Sequence, residues 1–179
     1  MAIESGLAIR CEDVQATGGT RHILIREWAT GDSIAFGGTH EITKIVDTGG
    51  TDADWGVYES RIESSSLTIT GGNEWNDTNT YECVLSFYLP RLSSNKMERL
   101  QEFEGACLMC IIVDSDSDDD YMVNQVIGLS EKYRNQENSL KNQTFARLLS
   151  IEGGTGGAFS DDNGVTVTIT CTQYELPRA

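Results

Sequence analysis

Eight consecutive residues near the end of the chain, Val165-Thr166-Val167-Thr168-Ile169-Thr170-Cys171-Thr172, alternate apolar and hydroxyl side chains without a break. A period of two belongs to a β-strand, whose successive side chains point to opposite faces. Val165, Val167, Ile169 and Cys171 therefore face a core, and the four threonines face out or across to a neighbour. The same period runs through Thr80 to Leu89, placing Tyr81, Cys83, Leu85, Phe87 and Leu89 on one side. With 18 Gly and only 2 Pro in a chain lacking any collagen-type repeat, turns are frequent and strands short. The expected class is mainly β, a sandwich or barrel.

Other segments fit that class. His22 to Trp28 and Glu41 to Val46 are rich in β-branched residues and read as strands. Trp55 to Ile62 and Ser66 to Thr70 are extended candidates, and the polar link Gly71 to Asn79 carries Trp75 near its tip, so residues 55–89 read as a long hairpin arm. Ala106 to Val113 is continuously apolar, which predicts a strand buried on both faces, with Tyr121 to Leu129 as its hairpin partner. One helix is expected over about 95–104. Asn95 and Glu98 have capping-box spacing, Met97, Leu100 and Phe103 form an apolar stripe, and Gly105 suits the C-terminal stop. At 179 residues, without a linker or internal repeat, the chain reads as a single β-rich domain over 1–179.

Charge and hydropathy narrow the function classes. The formal net charge is −15, from 28 acids and 13 bases. Such a surface repels phosphate backbones and anionic membranes, although a conduit that lets DNA slide without sticking would want an acidic wall. No stretch approaches the roughly 20 apolar residues of a membrane span, and Met1 to Gly6 has no signal-peptide pattern, so no membrane partner is expected. Five cysteines, an odd number, fit reduced thiols in a cytoplasm.

Residues suited to chemistry are few. His22 and His40 fall in strand-like segments with no relay to a serine or cysteine, and no nucleotide-binding loop is present. Cys107 and Cys110 have C-x-x-C spacing, but in an apolar strand positions i and i+3 face opposite ways, so both read as structural. Asp114, Asp116 and Asp118 begin an acidic run that could gather oxygen ligands around Ca²⁺; an EF-hand loop starting at Asp114 would need Gly and Glu where the chain has Asp119 and Gln125. A solvated hairpin tip is the simpler reading. No catalytic residue, cofactor or metal is expected.

The order of elements (strands, hairpin arm, one amphipathic helix, then strands ending on a threonine-faced strand) resembles phage tail-tube proteins and the related tubes of contractile injection and secretion systems. The opening Ile3 to Cys11, the Gly-rich Glu152 to Gly157, Asn163-Gly164 and the threonine strand after it are also similar to segments of phage virion proteins. The resemblance implies a non-enzymatic tail-tube subunit that assembles with itself into stacked rings of roughly six copies. Sheet edges would pair between copies to line a channel through which DNA passes without specific binding. Neighbouring tail or neck proteins would be the other partners. The chain would be made in the bacterial host cytoplasm and reside in the virion. Trp75, Asn73 and Asn76 at the arm tip, with Thr166, Thr168 and Thr170, are the expected subunit interface. Removing residues 71–79 should leave a folded chain that forms no rings. Two further readings are a capsid decoration or head–tail connector protein, and a glycan- or receptor-binding module using Trp28, Trp55 and Trp75 as an aromatic platform.

Overall fold

The computed structural model describes residues 20–29, 33–36, 42–46, 55–60, 64–73, 79–91, 93–114, 125–128, 145–155, 163–174 and 176–177. In chain order the elements are β1 (Thr20–Glu27), β2 (Ser33–Phe36), β3 (Ile42–Val46), β4 (Gly56–Glu59), β5 (Ser65–Asn73), β6 (Asn79–Pro90), α1 (Ser94–Gln101), β7 (Leu108–Asp114), β8 (Gln125–Ile127), β9 (Arg147–Gly154) and β10 (Gly164–Gln173). Two four-stranded antiparallel sheets carry the fold, one ordered β4-β1-β7-β8 and the other β5-β6-β10-β9, with β2 and β3 forming a separate pair. Neither large sheet closes on itself, so the mainly β architecture is sandwich-like and not a barrel.

The main core lies where the inner faces of the two sheets meet. Ile23, Ile25, Cys110, Ile112 and Ile127 come from the first sheet, and Cys83, Leu85, Phe87, Val167, Ile169 and Cys171 from the second. The alternation in β6 and β10 thus does what its period demands, and the two strands pair over their whole common length, from Gly164 opposite Pro90 to Gln173 opposite Tyr81. β7 is interior to its sheet. Its two faces feed two clusters, Cys110 and Ile112 on one side and Met109, Ile111 and Val113 on the other, all at most 1% exposed. A run with no polar face is stable only in such a place. Its partner is β8, within the expected 121–129, paired from Cys110 opposite Ile127.

The 55–89 region is not one arm. β4 pairs with β1 in the first sheet, whereas β5 pairs with β6 in the second, so the chain crosses between sheets after Glu59. The β5–β6 hairpin is itself long, running from Ser65 opposite Phe87 to Asn73 opposite Asn79. Because β10 accompanies β6 as far as Tyr81, the hairpin is built into the sheet, and residues 71–73 and 79 belong to its strands.

The helix starts earlier than Asn95. Ser93 is its N-cap, in extended conformation, and its hydroxyl accepts from the Lys96 N–H at 3.3 Å. Leu100 and Phe103 reach the core, but Met97 is 45% exposed and does not complete the stripe. Beyond Gln101 the chain tightens into three-residue turns, Phe103 N–H to Leu100 O and Ala106 N–H to Phe103 O, and the left-handed residue that stops it is Gly105 at φ 75°.

Candidate functional site

The outward face of the second sheet is the most regular surface the fold builds. Residues directly opposite one another across an antiparallel ladder share a face, so the register writes the surface as rows. One row is Ser66, Ser86, Thr168 and Ser150, crossing all four strands. The next is Thr68, Val84, Thr170 and Arg147; flanking them lie Thr70, Glu82 and Thr172 on one side and Tyr88, Thr166 and Glu152 on the other. The β5 residues are exposed, whereas Thr166, Thr168 and Thr170 on interior β10 are half-buried among their neighbours. Each hydroxyl donates and accepts, so the face holds water and offers little apolar purchase. In charge these rows hold one base, Arg147, and two carboxylates, Glu82 and Glu152, so the described part of the face is hydroxylic with an acidic excess.

Among the described residues both flanks of this sheet are open: β5, of 9 residues, and β9, of 8, each pair with a described strand on one side only. β9 carries an irregularity between the partners of Thr168 and Ile169, and Leu149, the residue inserted there, is 63% exposed. On β5, Ile69 is 39% exposed although it stands opposite the buried Cys83. An open edge with apolar side chains beside it invites another strand.

The expected interface residues therefore part company. Thr166, Thr168 and Thr170 lie in one line on the hydroxyl face, but β10 is hydrogen-bonded on both sides, and a neighbour could meet them only face-on. Asn73 ends β5, opposite Asn79. Trp75 and Asn76 lie outside the described residues, as do His40, Asp116 and Asp118, while Asp114 ends β7 opposite Thr20. Among the described residues no group of three or more His, Cys, Asp or Glu is placed to hold a metal ion. Trp28 and Trp55 share a location. Both pack, half-buried, against the second apolar cluster on the outer face of the first sheet, Trp28 with its ring 5.6 Å from that of Phe145.

A cleft of about 460 Å³ runs between β4 and α1, lined by Tyr58, Leu89, Lys96 and Arg99 among others. The Lys96 ammonium donates to the Pro90 carbonyl, and Arg99 pairs with Glu102 at 3.2 Å. Tyr58 packs edge-on to Phe103, with ring centroids 5.5 Å apart, and burial there, with Glu102 nearby, pushes its phenol above the ordinary value.

Periodicity foretold the hydroxyl face, but the edge residues Leu149 and Ile69 were missed. Nothing local marks them, since exposure at an edge depends on which strands flank them. No helix among the described residues is long and apolar enough to cross a membrane. No protein-family model, curated protein or solved structure matches the chain.

Proposed function

We propose that the chain is a structural subunit that assembles with copies of itself, edge to edge through its second sheet, into rings that stack as a phage tail tube. The observation that carries this reading is the parity of that sheet. Four strands joined only by antiparallel pairings leave β5 and β9 running in opposite directions. When β9 of one copy meets β5 of the next, that pairing is antiparallel too, so the pattern continues through every copy. The contact is heterologous, and a heterologous contact with the right rotation closes a ring.

Roughly six copies give about two dozen strands. At about 4.8 Å spacing and about 40° tilt they close at a backbone diameter of roughly 45–50 Å. The hydroxyl face then lines the channel and the first sheet stands outside it. With Arg147 as the one base in the described rows against the carboxylates of Glu82 and Glu152, the face gives passing DNA little basic surface to bind, in keeping with the net charge of −15. On this reading the subunit catalyses nothing and needs no cofactor. Its partners are other copies and the tail or neck proteins at the tube ends, and it is made in the host cytoplasm and resides in the virion.

Electron microscopy of the purified full-length chain tests the proposal: rings or rods with a central channel are expected. Leu149→Lys puts a charge on the β9 edge and should abolish them while circular dichroism stays that of the folded chain. Monomers under all conditions, or rings unaffected by L149K, overturn the edge-to-edge arrangement.

A further inference from the structure

Two thiols of the core stand directly opposite each other. Cys83 on β6 and Cys171 on β10 are register partners, 0% and 4% exposed. We propose that this pair is an oxidation site, closing a cross-strand disulfide that staples the two central strands of the second sheet.

Directly opposed residues of an antiparallel pair have Cα atoms about 4.5–5.5 Å apart, inside the range of about 4.4–6.8 Å that a disulfide spans. The other described cysteines have no such partner position: Cys110 lies in the opposite sheet and Cys107 on that sheet's far face. All four described cysteines are free thiols in this structure. The two thiols differ chemically. A hydrogen bond from Cys171 favours the Cys83 thiolate against the cost of its burial, whereas that same bond and burial hold the proton on Cys171. Cys171 Sγ also lies 3.7 Å from the Gln173 side-chain oxygen, a second acceptor for its proton. Cys83 is thus the nucleophile and Cys171 the resolving thiol.

The oxidant this buried site admits is a small peroxide. The Cys83 thiolate attacks one oxygen of hydrogen peroxide; the O–O bond breaks, leaving Cys83 sulfenic acid and hydroxide, which takes up the proton that Cys83 gave off. Cys171 sulfur then attacks the sulfenic sulfur, the S–S bond forms and the second oxygen leaves as water. The sum is two thiols and one peroxide giving one disulfide and two waters. Access comes by fraying, since the pair is the third from the end of the β6–β10 ladder, after Gln173 with Tyr81 and Thr172 with Glu82.

The test uses the reduced, folded full-length chain, exposed to hydrogen peroxide, quenched with catalase, unfolded in alkylating agent and digested with trypsin. The expected product is a disulfide between peptide 62–91, which holds Cys83, and peptide 148–178, which holds Cys171, with both cysteines leaving the alkylated pool together. The oxidised chain should also unfold at higher urea than the same sample with reductant added. In Cys171→Ser, which keeps a hydroxyl donor beside Cys83 but no resolving sulfur, dimedone should capture Cys83 as its sulfenic acid, an adduct not expected in the wild type. Should C171S fail to fold, the wild-type map still decides. The inference is overturned if Cys83 and Cys171 both stay alkylatable after half-exposed Cys107 has been consumed, or if Cys83 is bridged to another cysteine. Because the bridge is read from peptide masses and the tube from micrographs, either reading can fail without the other.

Discussion

Gly128 sits at φ 87°, and a Cβ placed on it would lie 2.5 Å from the Leu108 carbonyl oxygen and 3.0 Å from the Ala146 nitrogen. Those two residues exchange both backbone hydrogen bonds, at 2.9 and 3.0 Å, and the Gly128 N–H donates to the side chain of Gln173 in the other sheet. Gly128→Ala is therefore expected to cost at least about 2 kcal/mol, the left-handed conformation supplying about 1–2 and the backbone clash the rest. Gly105→Ala, also left-handed but facing open space, should cost only about 1 kcal/mol; urea unfolding of the two variants measures the difference. Proton binding supplies a second residue-scale prediction. Burial holds Cys110 above its ordinary thiol value and Tyr58 above its ordinary phenol value. Both folded values exceed the unfolded ones, so the stability these groups contribute is complete below about pH 8.5 and about pH 10 respectively, and is lost as pH rises through the folded values. The urea midpoint should hold near neutrality and fall in alkali, and Cys110→Val should reduce the earlier part of that fall, to which Cys171 also contributes.

At the scale of elements, the helix shows how local signals compete. Ser93 and Asn95 are both good capping residues; Ser93, in extended conformation, takes the cap, and Asn95 falls inside the first turn. Ser93→Ala is expected to lower stability by about 1 kcal/mol, with Asn95→Ala near zero. Leu100, 1% exposed, should cost about 2–5 kcal/mol on truncation to Ala, whereas Met97, at 45%, should cost under about 0.5 kcal/mol; chemical denaturation of the four variants checks the ranking. The strands were easier to read. Alternation in β6 and β10 and the unbroken apolar run of β7 each correspond to one kind of place in a sheet. The apparent arm over 55–89 failed for a different reason: a period of two identifies a strand but says nothing about its partner, and β4 and β5 went to different sheets.

For the whole molecule, the proposed assembly would bring together subunits of net charge −15. Their repulsion reaches about 30 Å at 0.01 M salt and about 8 Å at 0.15 M, so rings or tubes should form more readily as ionic strength rises across that range. Light scattering during a salt titration reads this directly; assembly that weakens with salt would mean that attraction between unlike charges holds the copies together. The sequence by itself determined the mainly β class, the inward set on β6 and β10, the two-faced burial of β7 and the threonine line of the hydroxyl face, because each follows from side-chain period and polarity within a few residues. Only the tertiary structure decided that β10 is interior while β5 and β9 are edges among the described strands, that Cys83 stands opposite Cys171, and that Leu149 and Ile69 are left exposed. Those facts depend on which distant strands pair and in what register, and no local pattern of side chains encodes a partner 88 residues away (Cys83 to Cys171) in the chain.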